Sequence, residues 1–200
     1  MKPADPLAPV LAALARPGRP TSDYDLNPGT QLPDDRVLCA AGVLVALQAG
    51  PRGVEVILTK RSSRLKHHPG QIAFPGGKVD AGDADAVAAA LREAEEEIGL
   101  PRRQVEVLGR AEAHETVTGF LVTPVFARIC GDFTPVPEAG EVEEVFSVPL
   151  SHAANPARYR IEGRPWRGQV RRYYAVPYGP YYIWGATARI LRALADRIAE

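Results

Sequence analysis

Apolar and polar positions divide this chain into a succession of short elements. The first apolar run, around Leu7 to Ala15, predicts a short helix. Val37 to Leu47, rich in Val, Leu and Ala, predicts a buried strand. Gly50-Pro51 and Gly53 then read as a hairpin turn, and Val54 to Lys60 as the returning strand. A run of strong helix formers fills Ala86 to Ile98, with Val87, Leu91, Ala94 and Ile98 on one apolar stripe. Strand-like runs follow at Gln104 to Ala113, Leu121 to Ile129 and Gln169 to Val176, while Glu141 to Val148 reads as strand or irregular. Tyr181 to Ala199 predicts a terminal helix whose core stripe is Ile183, Ile190, Leu191, Leu194 and Ile198. Strands on both sides of a central helix, with a helix at the end, predict an α/β or α+β domain with a mixed sheet.

The central helix carries the chemistry. Asp83 or Asp85 is a natural N-cap, and Gly99 before Leu100-Pro101 is a natural stop. Glu93, Glu96 and Glu97 stand at i, i+3 and i+4, so their carboxylates gather on one face, while Glu95 points away. Three like charges there repel unless something positive sits among them. A hard divalent cation suits such oxygen ligands. Gly76 and Gly77 would let backbone, including the Gly77 carbonyl, approach the same point. The plainer alternative is a solvated acidic face with Arg92 pairing locally.

Gly-Gly, an acidic loop with Asp80, Asp83 and Asp85, then Leu-Arg-Glu-Ala-Glu-Glu-Glu-Ile-Gly-Leu resembles the Nudix box, the metal-binding loop and helix of Nudix hydrolases. Arg92, Glu93, Glu96, Glu97 and Gly99 carry the match. The loop departs from the commonest box, with one extra residue between Gly77 and Arg92 and with Asp as its acid. The resemblance implies a mixed sheet in an α/β/α sandwich and hydrolysis of a nucleoside-linked diphosphate. It implies Mg²⁺ or Mn²⁺ held by Glu93, Glu97, Glu96 and Gly77, and a catalytic set of Glu96, Arg92 and Glu144. Arg92 is expected to orient a helix glutamate. The general base stays open among Glu96 and the downstream acids Glu138, Glu141, Glu143 and Glu144. Nudix proteins are often homodimers, so a homodimer is expected.

A basic stretch, with Lys60, Arg61, Arg64 and Lys66, leads from the second strand towards Phe74-Pro75-Gly76-Gly77. It would set cations beside a metal-carboxylate centre, as a polyphosphate requires; a solvated basic loop is the bland alternative. Thr59, Arg61, Ser62, Gly70 and Phe74 to Gly77 resemble the coenzyme A diphosphatase branch of the family. Ile57 replaces a Leu of that signature, and Lys66 stands where an Arg is usual. The branch implies cleavage of CoA or acyl-CoA to 3′,5′-ADP and (acyl-)4′-phosphopantetheine, with Lys60, Arg61, Arg64, Lys66 and Phe74 as substrate contacts. Two other readings stay open: a Nudix hydrolase for another diphosphate, such as ADP-ribose, NADH or a nucleotide, and a non-catalytic Nudix-like ligand sensor. Adjacent His67 and His68 suit loop hydrogen bonds better than a shared metal. His114-Glu115 fits the border of a pocket or a turn equally well.

Composition narrows the partners. The 200 residues carry 24 basic and 24 acidic side chains, which favours neither nucleic acid nor a membrane surface. No apolar run approaches the ~18 residues of a membrane span. The N-terminus makes a poor signal peptide, so a cytoplasmic protein is expected. Cys39 and Cys130 sit in apolar runs and are expected to be buried thiols. Seven of the 19 prolines precede residue 37, so residues 1–36 are expected to form an arm and 37–200 the globular domain.

Overall fold

The computed structural model describes residues 5–30, 32–33, 35–166 and 168–200. Residues 1–4, 31 and 34 of the expected arm lie outside that description. In chain order the elements are α1 (Ala8–Ala15), β1 (Thr21–Ser22), β2 (Cys39–Gly50), β3 (Gly53–Arg61), β4 (Ile72–Ala73), β5 (Gly76–Lys78) and α2 (Ala86–Ile98). They continue with β6 (Val105–Arg110), β7 (His114–Glu115), β8 (Phe120–Ile129), β9 (Val142–Pro149), α3 (Leu150–Ala153), β10 (Arg160–Trp166), β11 (Gln169–Ala175) and α4 (Gly185–Ala199).

β2 is the centre of a mixed sheet ordered β1-β7-β8-β2-β3-β4. It runs parallel to β8 and antiparallel to β3 and to the short β5. β6 adds to β8, and β9 to β3. Alternation along β2 sends side chains to two cores. Leu44 and Ala46 join Ile57, Val125 and Ala127 beneath Ala90, Ala94 and Ile98 of α2. Val45 and Leu47 join Val56, Leu58 and Phe126 beneath α1 and α4 on the other face. The result is a helix–sheet–helix sandwich. Gly42 is what lets α2 come close: a Cβ there would stand 1.9 Å from the Ala86 carbonyl oxygen.

Several expectations need correction. The expected α2 stripe does pack on the sheet, Ala94 and Ile98 fully buried and Val87 and Leu91 partly, but the buried face also takes in Ala89 and Ala90. α4 begins at Gly185, four residues later than expected, because Tyr178 to Trp184 is occupied by bridges to Tyr181 and Ala175. Ile183 is fully buried but precedes the helix. Cys39 and Cys130 are free and exposed, lying at the ends of β2 and just past β8, where the strands leave the core.

The Pro-rich segment is tied to the domain. Leu7, Val10 and Ala13 of the first helical region are buried in the main core. Arg197 of α4 donates to the carbonyls of Ala13 and Arg16 and pairs with Glu112 at 2.8 Å, and Glu112 also accepts from the Gly18 amide. Further on, the Asn27 side-chain amide accepts from the Arg172 amide and donates to the Arg172 carbonyl, at 2.8 and 2.9 Å. His114 is fully buried, with Nδ1 3.0 Å from the Thr21 hydroxyl and Nε2 3.5 Å from Asp23. It joins the segment to β7 rather than bordering the acidic site. Val10→Ala removes two buried carbons and leaves a cavity, so urea unfolding should lose about 2 kcal/mol. An unchanged unfolding midpoint would mean that α1 does not fold with the core.

Candidate active site

The site grows from the turn between β5 and α2. Asp85 caps α2, its carboxylate accepting from the amides of Val87 and Ala88 at 2.9 and 3.0 Å. Gly99 ends the helix in the left-handed region, at φ 69°, as expected. The two turn glycines are required. Gly76 has φ 153°, and a Cβ there would meet the Gly42 carbonyl at 2.4 Å. A Cβ on Gly77 would stand 2.3 Å from a Glu93 carboxylate oxygen. The backbone therefore packs directly against the acids.

Three carboxylates converge: Glu93, Glu97 and Glu141 each offer an oxygen within 4.8 Å of the other two. Glu97 is 3% exposed, and its carboxylate accepts the Gly76 amide at 3.0 Å. Burial, aided by Glu93 and Glu141, pushes its carboxyl up to about 7, against the pull of Gly76 and Arg61. Burial also raises Glu93, against the pull of Arg92. Among the described residues, the nearest cation to Glu97 is distant for an ion pair, with the Arg61 guanidinium 3.8 Å away. A compact group of acids that burial pushes towards protonation fits a hard divalent cation with oxygen ligands. Glu93, Glu97 and Glu141 are the residues that would hold it, with the Gly77 backbone alongside.

Glu141 reaches the cluster because the segment before β9 is stitched to α2. The Glu138 amide donates to the Glu97 carbonyl, the Val136 amide to that of Ile98, and the Ser62 amide to that of Glu141, at 2.8–2.9 Å. The sequence presents Glu141 only as one of four downstream acids; no local signal distinguishes it, since its position comes from these long-range backbone bonds.

Other expected residues lie elsewhere. Glu96 has an exposed carboxylate 3.0 Å from Arg92 and stays outside the three-carboxylate group. Arg92 bridges Asp83, Glu93 and Glu96 at 2.9–3.0 Å and also reaches the Lys78 carbonyl. Asp83 is the first cause of its firmly held charge. Glu144 faces Lys60 across the β3–β9 ladder and accepts from Tyr181 at 2.5 Å, away from the cluster. Phe74 is 4% exposed and belongs to the core, where it holds the turn in place. Lys60 pairs with Glu143 at 2.7 Å. Arg64 and Lys66 are exposed, with no ion pair among the described residues.

The profile described as NUDIX domain matches residues 39–169, most of the chain. The chain belongs to the Nudix family. It is 46% identical over 143 residues to an uncharacterized Nudix hydrolase NudL of Enterobacter sp. (strain 638), covering 72% of this chain and 74% of that one. It is 44% identical over 158 residues to a protein of the same name from Escherichia coli K12, covering 79% and 82%. Among solved structures, a MutT/nudix family protein from Enterococcus faecalis superposes with a TM-score of 0.50 at 15% identity, over 85% of this chain and 65% of that one, a likeness of fold alone. The sandwich is thus the Nudix fold, and the chain is a hydrolase of diphosphate bonds. Nudix hydrolases generally use divalent ions such as Mg²⁺ or Mn²⁺, and the carboxylate cluster suits that use.

Glu97 gives a pH test without substrate. Its carboxyl titrates near 7 when folded and near 4.5 when unfolded, so between these values the folded metal-free chain binds the extra proton. The stability Glu97 contributes is therefore fully present below about 4.5 and lost as pH rises through about 7. The melting temperature of metal-free protein should fall from pH 5 to pH 8 more steeply for the natural chain than for Glu97→Gln. Identical slopes would mean that Glu97 titrates as an ordinary surface acid.

Proposed function

We propose that this Nudix hydrolase cleaves the diphosphate of coenzyme A or acyl-CoA, releasing 3′,5′-ADP and (acyl-)4′-phosphopantetheine. One observation carries the reading: the basic segment and the acidic cluster meet. Arg61, within the segment, lies 3.8 Å from Glu97; its amide donates to the Gln71 carbonyl and its carbonyl accepts the Gly70 amide before the chain enters the Phe74–Gly77 turn. The segment that resembles the CoA signature is thereby folded against the carboxylates.

In this reading Glu93, Glu97 and Glu141 would hold Mg²⁺ or Mn²⁺, with Gly77 beside them. The ion supplies positive charge that neutralises the diphosphate and activates water. Water attacks one phosphorus, the bond to the bridging oxygen breaks, and the departing phosphate leaves with that oxygen. The water's proton passes to an acid with an exposed carboxylate, Glu96 or Glu141. Arg92 orients Glu93 and Glu96 and does not touch substrate. Arg64 and Lys66 take the 3′-phosphate, as charge-assisted donors. Glu144, turned to Tyr181, has no part in the proton transfer. A homodimer belongs to the same reading. A monomer mass by light scattering at micromolar concentration would remove it.

Hydrolysis of CoA, ADP-ribose and NADH with product identification tests the substrate. CoA should be preferred and yield 3′,5′-ADP. Dephospho-CoA has the same scissile bond without the 3′-phosphate, so its kcat/KM should be lower by roughly ten- to a hundredfold. Arg64→Ala and Lys66→Ala should narrow that gap, mainly through KM. A preference for ADP-ribose or NADH would transfer the enzyme to another substrate class, and equal kcat/KM for CoA and dephospho-CoA would remove the 3′-phosphate contact.

A further inference from the structure

Beside Lys60 at the end of β3 lies a cleft of about 630 Å³. The 68–72 turn, Lys60, Arg164 of β10, and Tyr182 and Trp184 before α4 enclose it. The Arg164 guanidinium stands 4.3 Å from the centre of the Trp184 ring. Behind it the indole is braced by Tyr173, 5.0 Å away. The Tyr173 and Tyr182 hydroxyls are 3.2 Å apart, and Tyr182 donates to Glu162 at 2.5 Å. The cleft wall is therefore a preformed aromatic cluster, its rings tilted against one another, with a planar cation over the Trp184 ring.

His68 also lines the cleft. It has φ 54°, the one non-glycine residue in the left-handed region among those described. Burial, then the charge of Arg61, with a smaller contribution from Arg164, favours its neutral imidazole. His68 thus feels both the arginine beside Glu97 and the arginine over Trp184. The cleft sets the cations Lys60 and Arg164, with one acid, Glu144, beside an aromatic wall. That set of groups matches a nucleotide: phosphates along the cations, and a flat base against the wall. Bases stack well on guanidinium planes and aromatic rings, whatever their hydrogen-bonding edges. The pantetheine arm is neither planar nor charged and would gain little here.

We propose that this cleft seats the adenine ring of the substrate, stacked on the Arg164–Trp184 pair. The inference rests on the CoA reading only for the identity of the nucleotide.

Trp184 can report its own ligand. In full-length Trp166→Phe protein with EDTA, Trp184 is the only indole. Titration with 3′,5′-ADP or AMP should quench its fluorescence to saturation, and 4′-phosphopantetheine should not. Arg164→Ala should weaken 3′,5′-ADP binding about tenfold or more. Arg164→Lys, which keeps the charge but loses the plane, should not restore it. If Trp166→Phe fails to fold, the Arg164 variants are compared in the Trp166 background by the same titration. Quenching by 4′-phosphopantetheine alone, rescue by Lys, or no response to either nucleotide would overturn the proposal. Quenching by AMP in an enzyme that leaves CoA intact would sink the CoA reading and sustain the stacking site. CoA hydrolysis with a KM indifferent to Arg164→Ala would do the reverse.

Discussion

Everything around the site follows from forcing acidic side chains together where water is scarce. Glu97 is almost fully buried on the sheet-facing side of α2, with Glu93 and Glu141 in reach. Such an arrangement is costly without a counter-charge, because burial and mutual repulsion both oppose ionisation. The fold accepts that cost by fixing every approach. Gly42 lets the helix settle on the sheet, Gly76 and Gly77 bring backbone against the acids, and the Gly76 amide takes one Glu97 oxygen. Arg92 then steadies the outer glutamates instead of filling the centre. Glu93 is paired with Arg92, but Glu97, the buried member, has only Arg61 at 3.8 Å, which leaves the group the character of a cation site rather than of a closed ion-pair network.

The two faces of the sheet divide the labour. One face carries α2 and the acids. The other carries α1, α4 and the larger apolar core, and at its margin the Trp184 cleft. β3 serves both, since successive residues point to opposite faces. Arg61 turns towards Glu97, while Lys60 lines the cleft and binds Glu143. A single basic run in the sequence is thus split between two environments, and its cations are not equivalent.

Much of this was legible beforehand because it depends on short-range rules. The capping Asp85, the stop at Gly99, the β2–β3 hairpin and the Glu93/Glu97 pairing are each set by neighbours within a few residues. The illegible parts depend on distant partners. Glu141 enters the cluster through backbone bonds from the 136–141 segment to α2, and Glu96 leaves it because Arg92 draws it outward. Glu144 faces away because strand pairing sets it opposite Lys60. The pattern gives no sign of β10, since Gly163 and Pro165 interrupt it; its pairing with β11 supplies the missing order. The exposed cysteines show the same limit: an apolar run does not say where its strand leaves the core.

The central claim is that Glu93, Glu97 and Glu141 form a divalent-cation site, with Glu96 outside it. Titration with Mn²⁺, followed by electron paramagnetic resonance of the free ion, measures this without substrate or turnover. Glu97→Gln and Glu141→Gln should weaken binding at pH 8 by about tenfold or more, on the scale of losing a metal-site partner, whereas Glu96→Gln and Glu95→Gln should bind as the natural chain does. Equal Mn²⁺ affinity in the natural chain and Glu97→Gln, or a loss confined to Glu96→Gln, would contradict the account.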